Sequence, residues 1–168
     1  MFQAGELIVY ANTGVCRVED VGVPDGLPSS DGVTLYYKLV PLYGVGTIQI
    51  PVNTRVFMRP VLTRQQAERL VESIPQIEED DCAIENPRLA AEHFRSRLDT
   101  HRCEDLVCLI KTVHQRSQTQ QKRGRKPSRA EQQLLRRAQE LLHGELAVAL
   151  ELPIGEVPEY IRRKLEVS

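Results

Sequence analysis

The 168-residue chain contains no tryptophan, and aromatic residues make up only 5% of it. No apolar run approaches the roughly 20 residues that a membrane-spanning helix requires. The four cysteines, Cys16, Cys82, Cys103 and Cys108, form no CxxC pair. The opening Met1-Phe2-Gln3-Ala4-Gly5 lacks the charged-then-apolar layout of a secretion signal, so reduced thiols in a cytoplasm are expected. With 41% apolar and 27% charged residues, the composition belongs to neither a disordered nor a membrane-embedded chain. The length suits one ordinary domain or two small ones.

Marks of catalysis are also missing. There is no GxSxG, no cysteine in a recognisable nucleophile elbow, and no paired-carboxylate loop apart from the run Glu78-Glu79-Asp80-Asp81. That run reads as a solvated linker. Gly44-Val45-Gly46 lacks the helix that must follow a phosphate loop and reads instead as a turn between strands. His101-x-Cys103-x4-Cys108-x5-His114 holds metal-binding atoms. On a helix, however, the two cysteines stand about 140° apart at about 100° per residue, and the spacing matches no common zinc pattern. No catalytic residue, metal or cofactor is expected, and the chain is read as one that works by binding.

Charge is present but unevenly placed. Residues 1–60 carry four basic and five acidic side chains, and residues 61–105 six and eleven. Residues 106–168 reverse the sign with twelve and seven. Within 116–137, Arg116, Lys122, Arg123, Arg125, Lys126, Arg129, Arg136 and Arg137 face a single acid, Glu131. Such a segment attracts polyanions and releases counterions from a nucleic-acid backbone.

The first sixty residues predict five short strands. Leu7–Tyr10 is followed by the turn residues Asn12-Thr13-Gly14, then by an imperfect alternation over Val15–Val21. A loop over Pro24–Gly32 precedes the run Thr34–Val40. Thr47–Ile50 stops at Pro51, and Val56–Met58 comes just before Pro60. This spacing suggests a small, strongly bent antiparallel sheet or barrel. The remainder predicts helices. Thr63-x-x-Gln66 is a capping box ahead of Ala67, Leu70, Val71 and Ile74. Asn86-Pro87 opens a second helix with the stripe Ala90, Phe94 and Leu98. Asp105 is expected to cap a third, with Leu106, Leu109, Ile110 and Val113 inward. Lys122–Pro127 breaks it, Ser128-x-x-Glu131 is a second capping box before a long amphipathic helix, and a short helix over 156–165 ends the chain. The fold class is therefore α+β: a β domain at 1–60 and an all-α helical domain at 61–168, with a linker near 75–86.

Phe2-x-x-Gly5-x3-Val9-Tyr10-x3-Gly14, Tyr36-Tyr37-Lys38-Leu39 and Ile48-Gln49-Ile50-Pro51 together resemble the CarD/CdnL family of bacterial transcription regulators, and the polymerase-interacting domain of transcription-repair coupling factors. Ser128-x-x-Glu131 through Leu134-x3-Ala138-x2-Leu141-x2-Gly144-Glu145-Leu146-Ala147 is similar to that family's last long helix. The resemblance implies a Tudor-like β barrel that docks on the RNA polymerase β subunit by pairing strand edges. It also implies a helical module that touches promoter DNA, largely through the backbone, and changes the lifetime of the open complex. The polymerase-facing strand would comprise Gly46, Thr47, Ile48, Gln49, Ile50 and Pro51, being short, ended by a proline and near a free edge. For DNA the candidates are Arg88, Leu89, Arg95, Arg97, Lys122, Arg123, Arg125, Lys126 and Arg129. Two departures stand out. Family members typically insert a Trp into the minor groove; here Leu89 or Ala90 takes that place, and of the two only leucine is bulky enough to wedge between base steps. Gln49 stands where the family often has Arg. No membrane partner and a monomer are expected, with a domain-swapped dimer left open by the long polar connector. The rival reading is a protein–protein adaptor of the transcription machinery without DNA contact.

Overall fold

The structure, a computed structural model, describes residues 1–23, 34–81 and 83–167. The expected Pro24–Gly32 loop and the Cys82 thiol lie outside them. Contacts within the chain divide it into two compact units, Met1–Val61 and Leu62–Ser168.

The first unit is an antiparallel sheet of β1 (Leu7–Tyr10), β2 (Gly14–Gly22), β3 (Tyr36–Pro41), β4 (Ile48–Pro51) and β5 (Met58–Pro60), in the order β4-β3-β2-β1-β5. Gly14 leaves the turn after β1 at φ 93°, a backbone that a side chain would strain, and so lets β2 fold back on β1. The broken alternation in β2 is a β-bulge. Val18 lies opposite Leu39 and Asp20 opposite Lys38, so Glu19 is the extra residue. The inward side thus runs Cys16, Val18 and then Val21 rather than Asp20. Ile8, Cys16, Val18, Tyr37 and Leu39 form the core, joined at its edge by Phe2, Ile48, Ile50 and Met58. Each fully buried aliphatic side chain here stabilises the unit by about 1.5–3 kcal/mol. The Phe2 N–H donates to Tyr37 Oη at 3.1 Å, which holds the start of the chain on this core.

Two expectations are corrected. The barrel does not close among the described residues, because β4 and β5 each have one neighbour. Closure would have to pair two strands already short of partners: the Thr54 N–H takes the Pro51 carbonyl at 3.0 Å, and Pro60 has no N–H to give. The last strand also lies two residues later than Val56–Met58. The β1–β5 register sets Tyr10 against Met58 and Ile8 against Pro60, so a proline is accommodated on an edge strand.

The second unit contains α1 (Arg64–Ser73), α2 (Pro87–Leu98), α3 (Cys103–Lys122), α4 (Arg129–Leu150) and α5 (Val157–Val167). The Thr63–Gln66 capping box forms in both directions, and Asn86 Oδ1 accepts from the Arg88 and Leu89 amides. α4 packs against each of the other four helices, over a core that includes Phe94, Leu109, Val113, Leu146 and Leu150. Two caps differ from expectation. α3 begins at Cys103, and Asp105 sits inside its first turn. The Asp105 carboxylate is drawn away by Arg97 at 3.0 Å and by the Thr100 hydroxyl at 2.6 Å. At Ser128 only half of the box forms, because the Glu131 carboxylate turns to Arg116 at 2.7 Å.

The connector between α1 and α2 is not a loose linker. One face of α3 catches its backbone turn by turn. Lys111 Nζ donates to the Ile74 and Ile77 carbonyls at 3.0 and 2.6 Å, Thr112 Oγ1 accepts from the Asp80 amide at 2.8 Å, and Arg116 donates to the Ile84 carbonyl at 3.1 Å. Asp80 Oδ2 adds bonds to His93 at 2.6 Å and Arg97 at 3.1 Å.

Candidate functional site

β4 is an edge strand with one side free. In an antiparallel pair, residues alternate between pointing both main-chain groups at the neighbouring strand and pointing both away. The Val52 N–H donates to the Leu35 carbonyl at 3.0 Å, and the register continues Tyr36–Pro51, Tyr37–Ile50, Lys38–Gln49 and Leu39–Ile48. Ile48 and Ile50 therefore face β3 with their main chain, while Gln49 and Pro51 face outward. Pro51 has no N–H, and its carbonyl is taken by Thr54. Within β4, Gln49 alone presents both an N–H and a C=O to a newcomer. The side chains divide as period-2 burial requires: Ile48 and Ile50 lean on the core, whereas Gln49 is exposed. Gly46 and Thr47 are exposed just ahead of the strand, with Gly46 at φ 92°.

The basic candidates do not share one fate. Lys122, Arg123, Arg125, Lys126 and Arg129 are exposed, and none has an acidic partner among the described residues. They are displayed on a defined turn. The Arg125 N–H donates to the Gln120 carbonyl at 2.8 Å and the Gly124 N–H to Gln121 at 3.0 Å, with Gly124 at φ 72°. These bonds make a Schellman motif, which only a residue tolerant of positive φ closes without strain. At the start of α2, Arg88 is exposed, 3.7 Å from Glu92, and Leu89 is 52% exposed beside the fully buried Ala90. Of the two, only leucine reaches solvent. Arg95 is exposed on the same helix.

Arg97 differs, being bound to Asp80 and Asp105 at 3.1 and 3.0 Å, so its guanidinium is engaged within the unit. Arg116, counted within the basic segment, is engaged as well. It pairs with the buried Glu131 and lies 5.4 Å from the centroid of the Phe94 ring. Both partnerships span eight or more residues, which a count of local charge does not register. For Asp80, burial would raise the carboxyl, but hydrogen bonds and charge from His93 and Arg97 outweigh it and hold the group below its ordinary 3.8. Burial pushes the Cys16 thiol up to about 11, so it stays protonated and unreactive. Among the described residues no three His, Cys, Asp or Glu side chains gather as a metal would need, and no helix is long and apolar enough to cross a membrane.

No curated protein matches the chain. Residues 2–62 match the family model of the CarD-like/TRCF RID domain, about a third of the chain and nearly all of its first unit. The match takes in the glycine turn at Gly14, the bulged β2 and the open β4 edge. Over residues 2–62 the first unit is thus similar to the CarD-like/TRCF RID domain.

Proposed function

We propose that the protein is a non-enzymatic transcription regulator. Its first unit would take a strand of the bacterial RNA polymerase β subunit onto the β4 edge, and its helical unit would hold promoter DNA. It would do so as a monomer in the cytoplasm, altering the lifetime of the open promoter complex. The observation that carries this reading is the unpaired main chain of Gln49, at the edge of a domain whose relatives interact with polymerase. A short edge with one open donor–acceptor pair suits a specific partner strand better than indiscriminate sheet stacking. For DNA, the support is the unpaired set Lys122, Arg123, Arg125, Lys126 and Arg129, with Arg88, Leu89 and Arg95 on α2. Arg97 acts only as a brace in this scheme.

A gel shift with fork-junction promoter DNA and polymerase tests the two halves separately. Replacing Lys122, Arg123, Arg125 and Lys126 by Ala should weaken DNA binding and lower the steepness of its salt dependence by up to about four counterions. An unchanged salt slope refutes the DNA contact. The second reading, a protein–protein adaptor, is favoured by the engagement of Arg97 and Arg116 and by the absent tryptophan. It predicts that polymerase alone, without added DNA affinity, accounts for the shift.

A further inference from the structure

In the helical unit, a groove of about 420 Å³ runs between the connector and the C-terminal half of α3. One wall carries Asp80, Asp81 and Glu85, and the other carries Arg116, Arg123 and Arg125. Two of these six are already committed, Asp80 to His93 and Arg97, and Arg116 to Glu131 and the Ile84 carbonyl. The remaining four are all exposed and form no ion pair among the described residues. Free carboxylates therefore share a groove with free guanidinium groups without closing into salt bridges.

Both walls are held by hydrogen bonds to their backbone. Thr112 and Arg116 hold the connector by its backbone on both sides of Asp81, and the Schellman turn at Gly124 holds Arg123 and Arg125. A freely moving acidic tail would spend most of its time beyond a Debye length, about 10 Å at 0.1 M salt, and would matter little. A pinned one keeps its charge within that range. A phosphate that enters this groove to meet Arg123 and Arg125 also meets Asp81 and Glu85, which line it.

We propose that the connector is a built-in competitor for polyanions: Asp81 and Glu85, held across one groove from Arg123 and Arg125, lower the helical unit's affinity for nucleic acid. The idea rests on the DNA-contact reading above, and it adds a restraint to that contact. The restraint makes productive DNA binding depend on polymerase holding the protein in place, because the helical unit alone is kept weak. Neutralising the two acids releases it.

The test compares Asp81→Asn/Glu85→Gln with Glu72→Gln/Glu156→Gln in the full chain. The second pair makes the same change in net charge outside the groove. All four residues are exposed and in no ion pair among the described residues, and a thermal melt verifies folding. At 50 mM salt the groove pair should bind a 20-base-pair duplex about threefold more tightly than the control pair, with the advantage fading by 300 mM. Equal affinity of the two pairs overturns the proposal. If the wild-type protein binds no duplex, the DNA reading fails, and elution from immobilised heparin decides the competitor separately. Later elution of the groove pair upholds it, and co-elution of the two pairs overturns it.

Discussion

Replacing Gln49 by proline tests the edge at the only β4 residue whose amide is spare. Inside the sheet the change removes no ladder bond, because the Gln49 N–H faces away from β3. Proline is tolerated on edge strands, so the folded protein should melt within a few degrees of wild type. Toward a partner strand the change costs three things: one main-chain hydrogen bond, a clash with the ring, and a partner carbonyl left without a donor. A lost bond is worth about 0.5–1.5 kcal/mol net and an orphaned buried carbonyl about 1–3 kcal/mol. A total of about 1.5–4.5 kcal/mol corresponds to roughly 10- to 2,000-fold weaker binding. Gln49→Ala keeps the amide and should bind within about threefold of wild type. The same substitution at Ile48, whose amide faces β3, would instead break the sheet and decide nothing. Titration of an immobilised polymerase β-subunit lobe with the two Gln49 variants reads the difference. A folded Gln49→Pro protein that binds like wild type refutes main-chain pairing at this edge, and so does an alanine variant as weak as the proline one.

Three further outcomes are expected. Arg116→Met leaves Glu131 buried without its 2.7 Å partner and should destabilise the helical unit by about 3–5 kcal/mol in urea unfolding; the double change with Glu131→Gln should recover part of that loss. Asp80→Asn should cost roughly 1.5–3 kcal/mol at pH 7. Because the native Asp80 carboxyl titrates below 3.8, its contribution is complete above that pH and disappears as pH falls through the lower native value. The gap between wild-type and variant stabilities should therefore narrow in acid, and a gap that stays constant as pH falls from 7 into the acid range would contradict the ion-pair account. Glu151→Gly should raise the melting temperature by relieving the left-handed backbone after α4, where φ is 57°; the gain is about 0.5–1 kcal/mol, less any contribution from the loose 3.6 Å contact with Arg64.

Features written within a few residues of one another were legible before the structure. Thr63 with Gln66, Asn86 with Pro87, and the stripe Ala90, Phe94 and Leu98 needed only helical spacing. The first three strands and the edge placement of β4 also followed from short runs and turn chemistry. What stayed hidden depends on distant partners. Asp105 looks like a cap until Arg97 reaches it from α2, and Glu131 looks like half of a capping box until Arg116 claims it. Arg97 and Arg116 read as spare cations for the same reason. The bulge at Glu19 shows in sequence only as disturbed alternation, since one inserted residue reverses every later side chain. The open sheet, in place of the expected barrel, depends on which main-chain groups of Pro51 and Pro60 remain available, and no propensity scale carries that information.

Glu145, one of the most deeply enclosed carboxylates in the molecule, accepts the Leu62 N–H at 2.9 Å and lies 3.2 Å from the Cys103 sulfur. The first peptide of the helical half is thereby riveted to its longest helix. Anyone dividing the protein into separately expressed pieces should cut upstream of that peptide. A fragment begun even two residues later would strip an interior anion of its backbone donor and weaken the half it was meant to isolate.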